Sequence, residues 1–170
     1  DFMECEITLD SVISSQFEPE HFSEIISTRA STCDAIILIS RDDIKVNAAV
    51  KNAVSLGKSV ICLTTDLPNS QRTAYVGIEN ISSGSTAAWM MGRMLPPDPG
   101  NVLILSSANY RSQEEREMGF RRVIRKDFPH LNISERIHIS DESEGSYQSV
   151  KNYLAKCSPL SGIYNTAGGN

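Results

Sequence analysis

Short uninterrupted apolar runs alternate along this chain with longer segments of helical period. Ala35-Ile36-Ile37-Leu38-Ile39, Ser59-Val60-Ile61-Cys62-Leu63 and Val102-Leu103-Ile104-Leu105 are bounded by turn residues and rich in branched side chains, the pattern of parallel strands buried on both faces. Tyr75-Val76-Gly77-Ile78 and Gly162-Ile163-Tyr164 are shorter candidates, and residues 4–9 and 136–140 add two more. Helices are predicted over Pro19–Ser31, Ile44–Leu56, Ser83–Leu95, Gln113–Phe128 and Tyr147–Lys156. Gly57 can take the left-handed conformation that ends a helix, and Pro96 and Pro129 lack the N–H that propagation requires. Pro96-Pro97-Asp98-Pro99-Gly100 reads as a stiff turn and not as a domain boundary. The alternation predicts an α/β fold with mainly parallel sheets.

Composition narrows the function more than the fold. The 170 residues are 40% apolar and 22% charged, which supplies a core for one large or two small lobes. The net charge of -5, from 21 acidic and 16 basic residues, is opposite to the basic footprint of a domain that itself grips nucleic-acid phosphates. Cys5, Cys33, Cys62 and Cys157 show no CxxC spacing, so a reduced, cytoplasmic chain is expected. No run approaches the roughly 20 apolar residues of a membrane span, and the N-terminus lacks a signal-peptide profile; no membrane partner is expected. The chain opens in a candidate strand and stops at Asn170, before a helix can cover the last strand. A piece of a longer protein is therefore expected.

Catalytic signals are weak. His21, His130 and His138 have no metal-site spacing, no GxSxG surrounds a serine, and neither GxGxxG nor GxxxxGK[ST] occurs; no catalytic residue, metal or cofactor is predicted. Polar residues gather instead just after the strands, at the edge where open α/β sheets bind ligands. They are Ser40-Arg41-Asp42-Asp43, Thr64-Thr65-Asp66, Glu79-Asn80, Ser106-Ser107-Ala108-Asn109-Tyr110 and Asn165. Carboxylates and amides there can bond the hydroxyls of a small polar ligand, and a tyrosine can stack on its apolar face. The plain alternative is that Asp42, Asp66 and Asn80 cap the helices that follow. Arg116 lies in the first turns of a predicted helix, where a cation is electrostatically disfavoured; it either reaches a ligand or pairs with a nearby carboxylate.

Six pieces, in this order, resemble the effector-binding core of LacI/GalR-type transcription regulators, a fold shared with periplasmic sugar-binding proteins of the ribose type. They are Cys33-Asp34-Ala35-Ile36-Ile37-Leu38, Gly57 to Asp66, Tyr75 to Gly84, Gly100 to Leu105, Arg116-Glu117-Met118-Gly119-Phe120-Arg121 and Gly162-Ile163-Tyr164-Asn165. The resemblance implies a periplasmic-binding-protein-like type I fold: two Rossmann-like βα lobes, incomplete at both ends, with 1–78 in the N-terminal lobe and 79–170 in the C-terminal lobe. It implies a sugar, polyol or related metabolite in the inter-lobe cleft, with Asp66 and Arg116 bonding its hydroxyls from opposite lobes. Ser40, Asp66, Glu79, Tyr110, Arg116 and Asn165 make up the expected ligand-binding set. Glu79-Asn80 stands where the family carries Asp-Asn, and Thr166-Ala167-Gly168-Gly169-Asn170 where many relatives carry Asn-Asp, leaving Asn165 or Asn170 to substitute.

The function expected from these residues is non-catalytic ligand sensing for a transcription regulator. A ligand that binds the closed cleft better shifts the lobe equilibrium. DNA would be reached only through a helix-turn-helix head outside this sequence, and homodimerisation through the lobes is what the resemblance implies. The alternative is a periplasmic sugar-binding protein of an ABC transporter, using the same cleft; an α/β enzyme would need a paired acid and base that Asp66 and Glu79 do not obviously form.

Overall fold

The computed structural model describes residues 5–12, 16–107, 110–139, 143–156 and 159–167. The elements run α1 (Pro19–Thr32), β1 (Ala35–Leu38), α2 (Ile44–Ser55), β2 (Ser59–Leu63), a 3₁₀ turn (Pro68–Ser70), β3 (Ala74–Val76), α3 (Asn80–Met94), β4 (Gly100–Ser106), α4 (Arg111–Asp127), β5 (Leu131–His138), α5 (Ser143–Leu154) and β6 (Gly162–Asn165). The strands form two parallel sheets, ordered β1-β2-β3 and β5-β4-β6.

The punctuation read from the sequence operates as expected. Pro19 begins α1, and the Asp43 carboxylate caps α2 by accepting the Lys45 N–H at 2.8 Å. At the other end Gly57 takes φ +80°, so the Lys58 N–H reaches the Ala53 carbonyl and the Gly57 N–H that of Val54, a Schellman closure. Helix α3 begins at Asn80, three residues before the predicted Ser83, because the Glu79 carboxylate accepts the N–H groups of Ile81 and Ser82.

Each sheet has its own core. Ile26 and Ala30 of α1 and Val46, Ala49, Val50 and Ala53 of α2 pack on Leu38, Val60 and Cys62 from one side of the first sheet. The expectation that its strands are buried on both faces fails: Ile37 on β1 is 70% exposed and Val76 on β3 55%. Residues 5–9 also form no strand, and Ile7 and Leu9 stand in solvent. A strand needs a hydrogen-bonded neighbour, and among the described residues β1, at the edge of the sheet, pairs only with β2. In the second sheet β4 is central and covered on both faces. Val102 and Ile104 meet Ala88, Phe120 and Ile124 from α3 and α4, while Leu103 and Leu105 meet Ile139 with Val150 and Tyr153 of α5 alongside. Phe120 stacks on Tyr164 with ring centroids 4.1 Å apart.

Glycines set how closely α3 and α4 approach. A Cβ on Gly84 would sit 1.9 Å from the Arg116 carbonyl oxygen, and one on Gly119 2.0 Å from that of Ile81. Backbone meets backbone at this crossing, and the Ser85 hydroxyl donates to the Gly119 carbonyl at 3.3 Å. The contact fixes the first turn of α3 against the second turn of α4, which is where the candidate site lies.

Candidate functional site

The carboxyl ends of the strands and the first turns of α3 and α4 are tied together by one chain of polar contacts. The Tyr75 hydroxyl lies 3.2 Å from the Thr64 carbonyl and 3.0 Å from that of Ile78, and accepts from the Asn80 amide at 3.4 Å. Asn80, buried, turns its Oδ1 to the Arg116 Nε at 2.9 Å. Arginine has no acceptor, so the amide oxygen must face it, which commits the amide nitrogen to Tyr75. Arg116 then donates to the Thr166 carbonyl at 2.6 Å, and the Thr166 hydroxyl donates to the Leu105 carbonyl at 3.0 Å. The guanidinium is thereby held by α3 on one side and by the turn after β6 on the other.

The first sheet contributes from across the molecule. Thr64, a β-branched residue, takes φ +62°, and the Thr65 N–H folds back on the Leu63 carbonyl at 2.7 Å. This strained turn aims the buried Thr65 hydroxyl at α4, whose N-terminus receives no side-chain cap from Tyr110. The Ser112 N–H donates to Thr65 Oγ1 at 3.4 Å instead, so one sheet caps a helix that packs on the other. Arg111 lies 3.7 Å from Asp42, and the Arg41 guanidinium lies 4.9 Å from the Phe17 ring centroid and 5.8 Å from that of Tyr110, within cation–π range. Gln113 stiffens the β4–α4 turn: its Oε1 accepts from the Ser106 hydroxyl and the Ser107 N–H, and its amide donates to the Ser107 hydroxyl.

Of the residues singled out from the sequence, Arg116 and Tyr110 reach this assembly. Ser40 is buried beside it, its hydroxyl on the Arg41 carbonyl at 3.2 Å. Asp66 is committed to Arg72, which donates through Nε and, at 2.6 Å, through its terminal nitrogen; the Leu67 N–H adds a third donor at 2.8 Å. Glu79 is exposed and spends both oxygens on the α3 cap; the Ser82 side chain and N–H bonded to it hold its carboxyl below the usual carboxylate range. Asn165 is exposed, its Oδ1 accepting the Ala167 N–H at 3.0 Å. Ala108, Asn109 and Asn170 lie outside the described residues. Thr166 and Phe17 were not candidates, because their roles arise from partners distant in sequence; Tyr75 read as a strand residue, and its hydroxyl bonds Thr64, Ile78 and Asn80 only through the turn that follows β3. Among the described residues no group of His, Cys, Asp and Glu could hold a metal ion. Burial pushes the Cys62 thiol up, so it packs as a neutral core residue.

The family described as the periplasmic binding protein domain matches residues 5–170. No curated protein matches the sequence significantly. Among solved structures, an ABC transporter solute-binding protein from Burkholderia graminis, in complex with D-arabinose, superposes with a TM-score of 0.82 at 25% identity, covering 88% of this chain and 52% of its own. A glucose-galactose binding protein from Geobacillus stearothermophilus gives 0.75 at 20% identity over 84% of this chain and 51% of its own. A solute-binding protein from Clostridium phytofermentas with bound L-rhamnose gives 0.75 at 19% over 86% and 47%. The chain thus spans about half the length of these structures, and the fold is the periplasmic-binding-protein-like type I α/β fold with parallel sheets.

Proposed function

Because the chain belongs to the periplasmic binding protein domain family, we propose that it binds a monosaccharide, without catalysis, between a first lobe ending at Ile78 and a second beginning at Glu79. The observation that carries this is Arg116, held by Asn80 and Thr166 at the strand ends of the second sheet, on a helix whose first turn meets the first sheet through Ser112 with Thr65, Arg111 with Asp42 and Tyr110 with Arg41. Oriented N–H donors supply bonds to ring hydroxyls, and the aromatic faces supply apolar contact. The boundary is supported by the placement of elements: the first sheet ends at Val76, and α3, which packs on the second, starts at Asn80.

A solute-binding protein that delivers sugar to an ABC transporter is the reading the neighbours support best, since those quoted above are described as transporter solute-binding or sugar-binding proteins. A cytoplasmic transcription regulator of the LacI type, reaching DNA through a separate head and acting as a homodimer, is the second reading. Its support is the sequence resemblance and the exposed Cys5 and half-buried Cys33, both free thiols, which suit a reducing compartment. Both readings share the sugar site. A thermal-shift panel on the full chain, including D-arabinose, L-rhamnose, D-glucose and D-galactose, tests it: a ligand at 100 times its Kd stabilises by about 2.7 kcal/mol. A panel with no shift, or a shift unchanged by Arg116→Ala, contradicts the reading.

A further inference from the structure

Resting on that reading, we infer that Tyr75 is a positioning residue of the sugar site: its hydroxyl orients the Asn80 amide and, through it, Arg116. Tyr75 lies on β3, and its ring packs against the core of the first sheet. The hydroxyl reaches past the end of the strand to the Ile78 carbonyl at 3.0 Å and the Thr64 carbonyl at 3.2 Å. A phenol carries one proton, so the two carbonyls share it, and the lone pairs of the oxygen are left to accept from the Asn80 amide at 3.4 Å. Gly77 makes room for this. A Cβ there would sit 2.2 Å from the Tyr75 hydroxyl oxygen and 2.5 Å from the ring carbon that bears it. The backbone that leaves the first sheet therefore wraps the tip of the ring, and a side chain at 77 would push the hydroxyl away.

Asn80 is 3% exposed, and its planar amide is bonded at both ends: the nitrogen to Tyr75, the oxygen to the Arg116 Nε–H at 2.9 Å. Fixing one end of a planar group orients the other. Without the Tyr75 hydroxyl a buried N–H would lose its acceptor, a cost that turns the side chain toward another partner. Arg116 would then keep the Thr166 carbonyl on its terminal nitrogen and lose the acceptor on Nε. Its guanidinium would pivot about the remaining bond, and the donors meant for sugar hydroxyls would be misplaced. The relay also crosses the molecule. The Tyr75 ring is seated in the first core, whereas Asn80 opens α3, which packs on the second, so the setting of Arg116 follows how the two lobes stand at the crossing.

Calorimetric titration of the full chain and of Tyr75→Phe with D-arabinose, L-rhamnose, D-glucose and D-galactose, beside ¹⁵N-resolved spectra of the sugar-free proteins, tests this. Phenylalanine keeps the ring in the first core and removes only the hydroxyl. The best-binding sugar is expected to bind about fivefold more weakly to Tyr75→Phe. The Asn80 amide and Arg116 Nε–H signals should already have moved before sugar is added, which a loss of packing elsewhere would not cause. Gly77→Ala, which displaces the hydroxyl and leaves it in the chain, should move the same two signals and weaken the same sugar. In an Asn80→Ala background Tyr75→Phe should change affinity by less than about twofold, because the hydroxyl acts through that amide. Unchanged affinity, unmoved side-chain signals or an undiminished loss in the Asn80→Ala background overturns the inference and leaves the sugar site standing. Failure of every sugar in the set to bind overturns both.

Discussion

Arg116 and Asn80 are 36 positions apart, and Arg116 and Thr166 are 50 apart, yet these contacts decide what the site can do. The arginine was legible in the sequence because a cation in the first turns of a helix works against the helix dipole and so asks for another purpose. Asn80 was legible as a polar residue at a strand end, with a helix cap as the plain alternative, but not as the partner of Arg116. In the structure its neighbour Glu79 takes the cap, which frees the Asn80 amide to join Tyr75 to Arg116. Asp66 shows the opposite limit: its place after a strand suggested a ligand contact, but Arg72 six residues later claims the carboxylate, a pairing that spacing in a loop does not announce. Backbone strain was equally invisible. Thr64 is exposed at φ +62°, a region costly for a β-branched residue. Thr64→Gly should relieve it and, after the entropy glycine returns to the unfolded chain, raise stability by about 1 kcal/mol. Denaturant melts check this; a loss of stability would show that the turn is not strained.

At the scale of elements, strand and helix order was readable because apolar runs, Gly57 and the prolines punctuate the chain. What the runs did not reveal is which strands are covered twice. Val102-Leu103-Ile104 is buried on both faces because α3 and α4 lie on one side and α5 on the other, whereas Ile37, in an equally apolar run, faces solvent. The crossing of α3 and α4 sets the spacing of the site. Gly119→Ala forces a methyl group into the Ile81 carbonyl, and should cost about 3 kcal/mol while also pulling Arg116 from Asn80. Chemical denaturation and sugar titration of the same variant check the two effects together. The start of α3 carries a pH dependence. The Glu79 carboxyl is lowered by its bonds to Ser82, so its contribution is present above the ordinary carboxylate range and is lost as pH falls through the lowered value. Thermal melts of wild type and Glu79→Gln should therefore differ at neutral pH and converge in acid; a constant gap would contradict the cap.

Across the whole molecule, contacts between the two sheets and their helices include, among the described residues, Thr65 with Ser112, Asp42 with Arg111, Arg41 with Tyr110 and Tyr75 with Asn80. Thr65 and Ser112 are both buried, so Thr65→Val strands an N–H at the head of α4 and should cost about 2 kcal/mol, measurable by denaturant unfolding. The central claim is that a sugar is held at Arg116, and the side-chain N–H resonances test it most directly. A ¹⁵N-resolved NMR titration with the best-binding monosaccharide should move the Arg116 Nε–H, the Asn80 amide and the Ser112 backbone N–H along one saturable curve, with the Arg116 signal identified by its loss in Arg116→Lys. Saturable binding that leaves these three signals in place would mean that the sugar is held elsewhere and that this cleft is not its site.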